Sequence, residues 1–109
     1  MNIGLLSRMK LDHALRHALA EGSLEVHYQP KFRIEDRRLI GAEALVRWND
    51  PELGAVSPGR FIPVAEESGA IIPLGRFVLE TTLAQLSQWW RAGLCVAVAV
   101  NVSALQFHQ

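Results

Sequence analysis

The chain has 109 residues, half of them apolar, enough for one globular domain with a modest core. Lysine plus arginine balance aspartate plus glutamate at 11 each, so no net field draws the chain to nucleic acid or to an acidic membrane surface. No apolar run reaches a membrane span, and Met1–Leu6 is interrupted by Ser7-Arg8 too early for a secretory signal, which makes the cytoplasm the expected compartment.

Residues 1–10 read as a leader. From Leu11 to Glu21, the positions Leu11, Ala14, Leu15, Ala18 and Leu19 fall on one helical stripe, and Gly22 supplies the stop. His13 and His17 share a face of this helix at a spacing that suits zinc, but no third ligand lies nearby and an exposed face explains them. Next comes alternation: Leu24, Val26 and Tyr28 point one way, Glu25, His27 and Gln29 the other, the period of a half-buried strand. Pro30 places that strand at its end or at a sheet edge. Glu35-Asp36-Arg37-Arg38 makes a turn into a second strand, about Leu39 to Val46, and so short a connection requires antiparallel pairing. Arg33, Arg37 and Arg38 allow a local basic patch, although a solvated hairpin tip explains them as well.

Asn49–Gly54 reads as loop. Ser57-Pro58 is an N-cap followed by proline at the first helical position, opening a helix toward Glu67 in which Pro63 predicts a kink or two short turns, with Gly69 as its end. A longer helix is expected from about Pro73 to Arg91, with Leu79, Leu83, Leu86 and Trp90 inward and Val78 and Trp89 widening that face. After Gly93 the run Leu94–Val100 is apolar throughout, the mark of a strand covered on both faces, as in a parallel sheet between helices. Cys95 lies inside this run. It is the single cysteine, so it forms no internal disulfide and reads as a small buried hydrophobe in a reducing compartment. The sequence holds no internal repeat or low-complexity linker.

Two polar residues stand out. Glu43 lies in the second strand, late and among apolar neighbours, where an uncompensated carboxylate costs several kcal/mol. Metal ligation and acid–base chemistry are the commonest uses of such a group. A structural alternative pairs Glu43 with Arg47 on the same strand. Asn101 leaves the third strand, and Asn101-Val102-Ser103 also matches a glycosylation sequon, which a chain without a secretory signal does not use.

Taken together, these blocks resemble the N-terminal part of the EAL domain, the bacterial family that hydrolyses cyclic di-GMP. The naming signature stands as Glu43-Ala44-Leu45 inside Gly41–Trp48. Around it, in the family's order and spacing, stand Tyr28-Gln29-Pro30, Ser57-Pro58, Phe61-Ile62-Pro63, Ala65–Gly69 and Asn101-Val102-Ser103, so that the likeness covers residues 11–109. The resemblance implies an α/β fold: an incomplete (β/α)8 TIM-type barrel whose first strand runs antiparallel to the rest, with about its first three strands and their helices present. Such barrels take about 250 residues. By the same resemblance, Glu43 and Asn101 are ligands to catalytic magnesium or manganese, Gln29 and Arg47 contact the dinucleotide, with Arg47 near a phosphate, and Leu45 shapes the pocket. The family takes its other metal-binding acids, paired aspartates and catalytic lysine from later strands, so no complete catalytic set is expected in this chain. One carboxylate and one amide do not hold two octahedral dications against their hydration shells. The expectation is therefore a fragment of a cyclic di-GMP phosphodiesterase, inactive alone. The alternative is a non-catalytic interaction protein that covers its open edges by self-association or with a protein partner. A receptor that only binds the dinucleotide is a third possibility, weakened by the missing pocket walls.

Overall fold

The computed structural model describes residues 3–100. Its elements in chain order are α1 (Ile3–Glu21), β1 (Leu24–Phe32), β2 (Leu39–Asp50), β3 (Gly54–Val56), α2 (Pro58–Ser68), α3 (Ile71–Arg91) and β4 (Ala97–Val100). β1 pairs antiparallel with β2 along its length, Leu24 opposite Trp48 and Gln29 opposite Glu43, so the expected hairpin is present. β4 pairs with β2 in parallel, Gly41 opposite Ala97 and Ala44 opposite Val100. A strand antiparallel to the next, followed by a parallel crossover through helices, is the topology the resemblance implied.

The β1–β2 turn closes through Arg33 and Arg38, whose backbone groups bond at 2.8 Å, while the Asp36 Oδ1 accepts from the Arg38 amide at 3.1 Å. Pro30 lies on β1, which among the described residues pairs only with β2, an edge position that tolerates a missing donor. β2 runs beyond Val46 to Asp50, into the segment read as loop, because β3, which starts at the last residue of that segment, pairs with its end, Trp48 opposite Val56. That extension corrects the position of Glu43, which is the fifth of twelve strand residues rather than late in the strand.

Ser57 caps α2 in an extended conformation with Pro58 in the first turn, and Gly69 ends the helix at φ 90°, a left-handed conformation that a Cβ disfavours. Pro63 does not break α2. It removes one helical bond, to Gly59, and that residue is exposed, so its carbonyl is open to water. α1 begins at Ile3, well before Leu11, and is tied to α2 by the exposed Arg8–Glu67 ion pair (3.1 Å) and by Arg16 donating to the Ser68 carbonyl (2.9 Å).

The core lies between the helices and one face of the sheet. Leu11, Leu15 and Ala18 from α1, Leu24, Trp48 and Val56 from the sheet, and Phe61, Val64 and Ala65 from α2 meet Ile71, Leu74 and Val78 of α3. Phe61 sets its ring edge-on to Trp48, with centroids 5.5 Å apart. The inward face of α3 differs from the expected one. Ile71, Leu74, Gly75, Val78 and Thr82 are buried, whereas Leu83 is 63% and Trp90 55% exposed, and Leu79 is exposed as well. Both stripes repeat at helical spacing; the buried one lies in the first half of α3 and reaches Thr82, a buried polar residue. Trp89 packs edge-on against Tyr28 at 5.1 Å, and the Trp90 ring nitrogen donates to the Val96 carbonyl at 3.2 Å.

β4 starts only at Ala97, and Cys95, expected to be buried, is exposed in the segment before it. Nor is β4 covered on both faces among the described residues: Val98 and Val100 are half-buried, whereas Ala97 and Ala99 are exposed.

Candidate functional site

Side chains alternate across a sheet, so register decides which residues share a face. Ala42, Ala44 and Trp48 of β2 are buried on the helix side. Glu43, Leu45 and Arg47 therefore occupy the opposite, open face. On β1 they stand directly opposite Gln29, His27 and Glu25 respectively, and Ala99 of β4 lies on the far side of Glu43. Three ranks result: Gln29–Glu43–Ala99, then His27–Leu45, then Glu25–Arg47, successive ranks lying about 7 Å apart. Four of the five expected site residues, Gln29, Glu43, Leu45 and Arg47, are thus brought to one surface. The fifth, Asn101, lies outside the described residues.

The register also changes the reading of Glu43. Its apolar sequence neighbours point to the other face, and the side chain is half-buried on the open one, so the penalty for a carboxylate enclosed in apolar surroundings does not arise. The structural alternative is not realised: no ion pair joins Glu43 to Arg47 among the described residues. Arg47 is exposed, with Nη1 3.5 Å from the Val46 carbonyl. A guanidinium without a carboxylate partner on an open face suits an anion.

As a metal ligand, Glu43 offers a hard carboxylate oxygen, the donor type that magnesium and manganese prefer. Among the described residues no cluster of three or more His, Cys, Asp or Glu side chains is assembled. Glu43 fits one corner of a divalent-cation site rather than a whole centre. The His13/His17 pair on α1 does not gather a zinc site either, and His17 Nε2 lies 3.8 Å from the Glu21 carboxylate instead.

Two features of this surface escaped the sequence reading. Glu25 stands opposite Arg47, which only the register reveals, although alternation had already put Glu25 and His27 on the face of Gln29. Gly41 faces β4 with no room for a side chain: a Cβ there would lie 2.8 Å from the Ala97 carbonyl oxygen. No helix among the described residues is long and apolar enough to cross a membrane.

Comparison with known proteins bears on the family and the fold. The chain is 42% identical over 108 residues to the bifunctional diguanylate cyclase/cyclic di-GMP phosphodiesterase MucR of Pseudomonas aeruginosa, and 47% identical over 108 residues to the cyclic di-GMP phosphodiesterase PdeR of Escherichia coli. Both alignments cover nearly all of this chain (98% and 97%) but only 16% of the relative, so the chain spans about a sixth of their length. The structure superposes on the MucR phosphodiesterase in complex with cyclic di-GMP with a TM-score of 0.84 at 43% identity, covering 90% of this chain and 40% of that one. An EAL enzyme bound to cAMP and cyclic di-GMP superposes with a TM-score of 0.83 at 30% identity, covering 97% of this chain and 31% of that one. The EAL domain model matches residues 12–109. This chain belongs to the EAL domain family.

Proposed function

We propose that the open face of β1, β2 and β4 is one wall of a cyclic di-GMP phosphodiesterase site, at which the cyclic dinucleotide is hydrolysed to linear pGpG in a complete domain. The observation that carries this is the rank Gln29–Glu43 with Leu45 and Arg47 beside it, on one open face of an EAL fold. Glu43, and Asn101 with its carboxamide oxygen, would hold magnesium or manganese. When bound, such ions polarise a phosphodiester and activate a water for in-line attack. Arg47 donates to a phosphate oxygen of the dinucleotide, Gln29 hydrogen-bonds the ligand from the neighbouring strand, and Leu45 gives it an apolar wall between them. A cytoplasmic location fits this role.

Among the described residues no cluster of oxygen donors for a two-metal centre is assembled, so the isolated chain is expected to bind cyclic di-GMP weakly and to hydrolyse none. The test is a titration of the purified chain with cyclic di-GMP in magnesium or manganese, together with an assay for pGpG. Arg47→Ala should weaken binding at least tenfold, the worth of a charge-assisted bond to a phosphate. Equal affinity of wild type and variant, or no binding by either, overturns the assignment of this face; turnover by the isolated chain overturns its incompetence.

A second reading, a non-catalytic interaction protein, draws on the exposed stripe Leu79, Leu83 and Trp90 of α3. Apolar surface of that kind is often covered by a second copy or a partner. Self-association in size-exclusion chromatography, abolished by Leu83→Glu, is the expected result on this reading; a compact monomer rejects self-association.

A further inference from the structure

We propose that Glu25 and His27 form a positioning couple that sets how available Arg47 is to an anion on the open face. The inference rests on the function proposed above, in which Arg47 takes a phosphate of the dinucleotide. Glu25 stands directly opposite Arg47 across the β1–β2 pair, and His27 stands one rank inward, opposite Leu45. Residues so paired have Cβ atoms about 4.5–5.5 Å apart, within reach of a carboxylate and a guanidinium. Yet the Glu25 carboxylate turns along its own strand, with Oε2 3.6 Å from His27 Nε2, and no ion pair joins it to Arg47 among the described residues.

The arrangement has an electrostatic consequence. A carboxylate opposite an anion-binding guanidinium competes with the ligand, attracting the same cation and repelling the same phosphate. A cationic imidazole beside that carboxylate draws it away and offsets its charge, leaving the guanidinium to the ligand. The remaining charged groups on this face are farther off: Glu43 is two ranks from Arg47 and Lys31 three, while the described part of β4 contributes only Ala97 and Ala99. Glu25 and His27 act through Arg47, not on the phosphodiester itself.

The experiment is a double-mutant cycle on cyclic di-GMP affinity, read by calorimetry. Glu25→Gln should tighten binding about threefold, the worth of one unit charge removed some 6 Å away through water. His27→Ala should weaken binding by about the same factor, and His27→Lys should restore it. In the Glu25→Gln background, His27→Ala should cost clearly less, because the part of its effect that runs through the carboxylate is gone and only its direct attraction for the phosphate remains. Both side chains are more than half exposed, so the variants are expected to keep the wild-type circular dichroism. An equal loss from His27→Ala in both backgrounds, or weaker binding by Glu25→Gln, overturns the couple while leaving the proposed function standing. No binding by the wild-type chain overturns both.

Discussion

Phe61→Ala is expected to remove about 3–5 kcal/mol, most of the stability a domain of this size has to lose. Phe61 is fully buried in α2, where it ties the helix layer to the sheet through its edge-on contact with Trp48. Truncation deletes the ring and leaves a cavity where α2 meets the sheet, and buried Leu15, Ile71 and Leu74 belong to the same cluster. The effect reaches the open face, because Trp48 is the neighbour of Arg47 on β2 and anchors the back of that strand. Thermal unfolding by circular dichroism should show the midpoint falling by roughly 15 °C or more. A midpoint within about 5 °C of wild type would sink the assignment of Phe61 as the keystone of this core.

Gly41→Ala should separate β2 from β4. The added Cβ would sit 2.8 Å from the Ala97 carbonyl oxygen, a backbone atom that has no rotamer to retreat into. Relief requires the two strands to part at the first rung of their ladder, two residues before Glu43 pairs with Ala99. The expected cost is about 1–3 kcal/mol in urea unfolding, the usual penalty of overpacking, with faster amide exchange in β4. Gly41→Val should be worse. An unchanged urea midpoint with protected β4 amides would show that the strands yield without loss. The Gly41 of the Gly41–Trp48 block is therefore a packing requirement that keeps Glu43 in register with β4.

The outcome at α3 shows where periodicity stops being informative. Leu79, Leu83, Leu86 and Trp90 repeat at helical spacing as convincingly as Ile71, Leu74, Val78 and Thr82 do. Helical spacing alone cannot rank two such stripes, and the packing of the sheet and of α1 and α2 buried the one that runs from Ile71 to Thr82. Glu43 shows the same limit in another form. Apolar residues on both sides of it in sequence suggested burial, but in a strand those neighbours point away, and the pleat put the carboxylate on the open face. Pro63 suggested a kink or two short turns, but α2 runs through it as one helix, with the loss of a single bond at an exposed glycine.

What the sequence determined by itself was local. Alternation in β1, the Ser57-Pro58 helix start, the glycine stop at Gly69 and the ordered EAL blocks rest on interactions within a few residues or on an intact motif, and they were legible from the residues alone. Only the tertiary structure decided which face of β2 looks away from the helices, that Gln29 and Glu25 stand opposite Glu43 and Arg47, and that β4 lies against Gly41. Those facts depend on pairing between residues up to 56 positions apart, as Gly41 and Ala97 are, and the hydrogen-bonded register that sets them is a property of two chain segments together.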